Sequence, residues 1–136
     1  MRQLTYLVLV TAFLLTSCTK KNPENLDEII GTWELSSTSG GSHGMGYDAQ
    51  FDGMIIHSDF TFELLDNSVS VAYGSIYEKI SDTDDILVEF TGESDLPNLH
   101  DIIEDGEKYI TFERANIINL IAPCCDRFNS HWTKEL

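Results

Sequence analysis

From Ile30 onward the chain is a succession of short apolar–polar alternations separated by clusters of Gly, Asn, Asp and Ser. A period of two residues puts alternate side chains on opposite faces of a strand, and clusters of turn residues limit each strand to a few positions. Trp33 and Leu35 share one face of residues 32–36, with Thr32, Glu34 and Ser36 on the other. The pattern restarts at Met54–His57, at Phe60, Phe62 and Leu64, and at Val69, Val71 and Tyr73, which residues 76–80 extend or resume. It continues through Ile86, Val88 and Phe90, Leu99–Ile103, Tyr109–Glu113, Ile117–Ile121 and Phe128–Leu136. Residues 39–46 hold four glycines and are expected to form a mobile loop, and Glu104-Asp105-Gly106 marks a hairpin. The only helix expected is a turn or two over residues 25–30, with Asn25 as its cap.

About nine short strands without crossover helices leave few architectures. Parallel strands need long connections, so the chain is expected to be all-β, an antiparallel up-and-down meander closing into a small barrel of about eight strands. Closure also removes the unpaired edges that invite aggregation. Eight strands is the size at which a barrel interior is either filled by its own side chains or holds one small ligand.

The first eighteen residues set a different constraint. Arg2 is followed by an apolar run from Leu4 to Leu15, broken only by Thr5 and Thr11, and then by Thr16-Ser17-Cys18. The run is too short to cross a bilayer comfortably, which takes about 20 residues, and a charged start with a small-residue exit is the pattern of an export signal. The cysteine at that exit resembles the lipobox of bacterial lipoproteins. The resemblance implies removal of residues 1–17, acylation (diacylglycerol and palmitate) on Cys18, and attachment to the cell envelope. Thr19 brings no retention carboxylate, so the outer membrane is favoured. Residues 18–28 are then the lipidated N-terminus and a polar tether, and residues 29–136 the folded domain.

Without Arg2 the chain carries seven basic against 23 acidic side chains. Nucleic acid demands a basic surface and is excluded as a partner. Anionic headgroups repel the same surface, so contact with the membrane is expected through the lipid alone.

Beside this tether, Ile30-Gly31-Thr32-Trp33-Glu34-Leu35 resembles the Gly-x-Trp opening of lipocalins and related calycins, and the serial hairpins resemble the small lipocalin-like lipoproteins of bacteria. The resemblance spans roughly residues 29–136 and carries over two positions, Gly31 and Trp33. It implies a lipocalin-like barrel whose tryptophan plugs the closed end, an arginine stacked on that ring (Arg114 or Arg127), and a non-enzymatic role in holding a small apolar or amphipathic molecule. The alternative is a solid barrel acting as a protein-interaction module or inhibitor.

Chemistry beyond this is sparse. With Cys18 acylated, Cys124 and Cys125 remain, and two thiols, a vicinal disulfide and a metal pair all stay open. Adjacent Cα atoms lie about 3.8 Å apart, closer than disulfides prefer, so such a bond is strained. Cys124, Cys125, Asp126 and His131 could together supply metal ligands, but no zinc spacing is present and no metal is assigned. His43, in the glycine-rich loop, is a conceivable ligand contact. There is no nucleophile elbow, no phosphate-binding glycine loop and no calcium loop, so neither a catalytic residue nor a cofactor is assigned.

Overall fold

A computed structural model describes residues 26–41, 46–94, 106–124 and 127–136. Eight strands form one closed antiparallel barrel: β1 (Gly31–Gly40), β2 (Gly53–Ile56), β3 (Thr61–Asp66), β4 (Val69–Lys79), β5 (Ile86–Ser94), β6 (Glu107–Arg114), β7 (Ile117–Ile121) and β8 (Phe128–Lys134). Each strand pairs with the next, and β8 returns to β1 through registers such as Glu34↔Thr133 and Ser39↔Asn129. The all-β, up-and-down meander is therefore the observed fold. The expected strands at 69–73 and 76–80 are one strand, because Ser75 and Gly74 both pair with β5 and leave no break. Residues 99–103 and the Glu104-Asp105 hairpin signal lie outside the described residues.

Alternation sets the core. Trp33, Met54, Ile56, Phe62, Leu64, Ile76, Val88, Phe90, Ile110, Ile118, Leu120 and Trp132 all point inward and are buried. Phe62 meets Phe90 edge to face with ring centroids 5.2 Å apart. A fully buried side chain of this size contributes about 1.5–3 kcal/mol, so this layer is the main source of stability.

Three local departures from the expected pattern have physical causes. β1 runs to Gly40 rather than stopping near Ser36, since β8 offers ladder partners throughout, and a bulge between Leu35 and Ser37 re-aims the strand. Gly40 has φ 96°, and a Cβ there would lie 2.3 Å from the Arg127 carbonyl oxygen, so glycine serves close strand approach as well as loop conformation. Phe60 precedes β3 in a left-handed conformation (φ 60°), where its carbonyl accepts from the Ile76 amide at 2.8 Å.

The barrel has two distinct ends. At one, a 3-10 turn, Leu26–Ile29, lies against the start of β1, near the β2–β3, β4–β5 and β6–β7 turns. Leu26 and Ile29 are buried and complete the core there. At the other end, residues 46–52 lead into β2. Phe51 lies inside, its ring plane parallel to that of Trp132 with centroids 5.9 Å apart. Tyr47 packs on Phe128 with centroids 4.7 Å apart. The backbone of Asp52 ties this segment down, accepting from the Leu35 amide at 2.9 Å and donating to the Leu65 carbonyl at 2.8 Å.

Candidate functional site

Gly31 and Trp33 come together at the end covered by the 3-10 turn. Trp33 is fully buried, and its Nε1–H donates to the Ile29 carbonyl at 2.7 Å. That carbonyl belongs to the last residue of a helical turn, which has no donor within the turn and needs one because it is buried. Trp33 therefore both fills the barrel and fastens the turn that covers it. The cation over its ring is Lys134, with Nζ 5.1 Å from the ring centroid. Neither Arg114 nor Arg127 takes that place: both are exposed, Arg114 at the end of β6 and Arg127 just before β8 at the opposite end. β8 pairs Lys134 directly opposite Trp33, which is why a residue near the chain's end fulfils the role. Gly31 leaves the space: with φ 140°, a Cβ there would sit 2.5 Å from Lys134 Cε. Lys134 Nζ also donates to the Glu28 carbonyl at 3.4 Å, joining β8 to the covering turn. The expected structural motif is thus a three-residue closure, Gly31–Trp33–Lys134, whose third member the sequence pattern did not mark.

The opposite end contains the interior's polar groups. Lys108 is 1 % exposed and Ser130 4 %. Lys108 Nζ donates to the Phe128 carbonyl at 3.1 Å, and Ser130 Oγ accepts from Trp132 Nε1 at 2.8 Å. A buried ammonium requires such partners, because desolvating it alone costs several kcal/mol. Its inward position follows from strand parity, since Lys108 shares a face with Ile110 and Phe112. The Tyr47 hydroxyl is buried without a hydrogen-bond partner.

The remaining candidates scatter. Cys18, His43, Cys125 and Asp126 lie outside the described residues. Cys124 is exposed in the bend after β7. His131 Nδ1 hydrogen-bonds the Asn119 side chain on the outer face of β7 and β8, away from the interior. It lines a shallow surface hollow of about 270 Å³ with Ser37, Ser39 and Asn129. His57 pairs with Glu63 at 3.1 Å on the outside of β3. Nearby, the Thr61 hydroxyl and amide hydrogen-bond Asp59 and hold its carboxyl below the usual carboxylate value. On β4, Lys79 bridges Glu107 at 3.1 Å and Glu89 at 3.2 Å, and these two carboxylates raise its ammonium pKa. Among the described residues, no three His, Cys, Asp or Glu side chains converge as metal ligands would.

Two hollows open on the outer surface around β4. One, of about 490 Å³, is bordered by His57, Glu63, Ser70 and Tyr73, and the other, of about 420 Å³, by Glu78, Ile80, Asp84 and Asp85. Comparison of the chain with family models, with curated proteins and with solved structures gives no match.

Proposed function

We propose that this protein is a lipid-anchored module of the bacterial envelope that acts through the outside of a filled, lipocalin-like barrel. One observation carries the reading: the interior is occupied by the protein's own side chains. Trp33, Trp132, Phe62 and Phe90 are each no more than 1 % exposed, and Met54, Ile56, Leu64, Val88, Ile110, Ile118 and Leu120 no more than 2 %. Leu26 and Ile29 cover one end, while at the other Phe51 is buried against Trp132 and Tyr47 packs on Phe128. Protein interiors packed this way leave no room for an added acyl chain without repacking.

The anchor supports the same reading. Export and acylation at Cys18 hold the domain beside a membrane, while seven basic against 23 acidic side chains, a net charge of −16 without Arg2, keep its surface off anionic headgroups. Such a domain is presented to partners in the aqueous layer.

Native mass spectrometry of the full protein extracted from membranes in a mild detergent is the test. The reading expects one species, the polypeptide from Cys18 onward with its acyl chains. A further amphiphile, retained stoichiometrically and lost only on unfolding, would establish the holding role instead.

A further inference from the structure

Apart from Leu136, the large apolar side chains most exposed among the described residues belong to one strand and its end. Val69 is 64 % exposed, Tyr73 58 %, Tyr77 56 % and Ile80, just beyond β4, 97 %. Tyr73 and Tyr77 alternate with the buried Ala72 and Ile76, so both stand on the outer face, about 13 Å apart at roughly 3.3 Å per residue. Scattered apolar residues need no explanation, but a stripe of aromatics along one strand is the composition of an interaction surface.

Carboxylates border the stripe on both sides. Tyr73 faces Glu63 on β3 and Glu93 on β5, and Tyr77 faces Glu89. Tyr73 Oη donates to Glu93 at 3.2 Å, fixing the ring's direction. Below Ile80 the turn adds Asp82, Asp84 and Asp85, all exposed. The hollow on the opposite side of the barrel, around Ser37, Asn119, Asn129 and His131, contains no carboxylate. The face around the aromatic stripe thus presents carboxylates that the hollow around His131 lacks, while Lys79 on the same face bridges Glu89.

We infer that the outer face of β3, β4 and β5 docks a basic segment of a partner protein, an extended stretch whose arginines lie over Tyr73 and Tyr77 and pair with Glu63 and Glu93. Arginine combines a planar face that stacks on tyrosine with a fork that matches a carboxylate. Arginines four residues apart on an extended strand reproduce the spacing of the two rings. The negative field adds speed to the encounter and makes it sensitive to salt. This inference rests on the proposed action through the exterior and names the surface and the partner's chemistry.

The test uses the full lipid-anchored protein in neutral detergent and fluorescent synthetic peptides, read by anisotropy. One peptide carries arginine at every fourth position, and a second carries glutamine there. The arginine peptide is expected to bind with an affinity that falls as salt is raised, and the glutamine peptide at least tenfold more weakly. The double variant Tyr73→Ser, Tyr77→Ser is expected to lose at least tenfold in affinity while still unfolding cooperatively, since neither ring belongs to the core. Asn119→Ser, on the opposite face, is expected to leave binding as it was. Equal binding by the tyrosine variant, or no binding of the arginine peptide to the native protein, overturns the docking surface. The mass measurement described above separates the two proposals: an empty-handed barrel that ignores the arginine peptide removes only this one, whereas a retained amphiphile removes the action through the exterior on which it rests.

Discussion

Substituting Gly31 by alanine separates the roles of the three residues that close the barrel. The new methyl would lie 2.5 Å from Lys134 Cε, a contact no side chain tolerates. Lys134 is flexible, so it can swing away, and the steric part of the cost becomes the loss of its position over Trp33. A cation over an indole at 5.1 Å contributes about 0.5–2 kcal/mol. The remaining part is backbone strain, since φ 140° is a region that a residue with a Cβ enters at a cost of about 1–3 kcal/mol. Gly31→Ala should therefore destabilise the domain by about 2–4 kcal/mol, and Lys134→Ala by about 1 kcal/mol. In the double variant the alanine methyl no longer displaces anything. Its cost should then be the strain alone, and the two single effects should exceed the double by about 0.5–2 kcal/mol. Urea unfolding followed by tryptophan fluorescence measures all four proteins. Additivity within about 0.3 kcal/mol would refute the claim that Gly31 exists to make room for Lys134.

Three further predictions concern other parts of the barrel. Gly74 and Gly92 face each other on β4 and β5, where a Cβ would lie 1.9 Å from the Thr91 carbonyl oxygen or 2.2 Å from that of Tyr73. Gly74→Ala should thus prevent stable folding, while Gly53→Ala, with 3.5 Å of clearance, should change the melting temperature little; thermal melts by circular dichroism compare them. Trp33→Phe keeps most of the apolar volume but leaves the buried Ile29 carbonyl without its donor, and should cost about 1–3 kcal/mol with faster hydrogen exchange in the covering turn. Thr61→Val removes the hydroxyl that most lowers the Asp59 carboxyl, so a carbon-detected NMR titration should show that carboxyl titrating at higher pH than in the native protein. The sign follows from linkage: a lowered folded-state value stabilises above the unfolded pKa of 3.8 and is lost as pH falls through the folded value.

The architecture was legible in the sequence because it depends on a period-two signal repeated along the chain. Val88 and Phe90 are inward and Leu87 and Glu89 outward, as the alternation requires. What the alternation could not supply was which strands meet across the closure. Lys134 lies opposite Trp33 only because β8 returns to β1, a pairing of residues about a hundred positions apart. The same limit hid Phe51, which occupies the interior from a segment outside any strand and pairs with Trp132. Lys108 was within reach, since it shares parity with Ile110 and Phe112, but a lysine is seldom buried and its partner carbonyl at Phe128 comes from a distant strand. The stripe on β4 was readable as alternation and unreadable as a surface, because exposure depends on what lies outside the barrel.

A filled barrel takes up no ligand until a cavity is made in it. Phe62 and Phe90 pack edge to face in the interior. Phe62→Ala should open a space of the kind that takes up benzene when lined by apolar side chains, at a stability cost of about 3–5 kcal/mol. Calorimetric titration of the native protein and the variant with benzene and with a fluorescent fatty acid compares the two interiors. The native protein should bind neither, and the variant should gain benzene alone. Stoichiometric uptake of the fatty acid by the native protein would contradict a filled barrel.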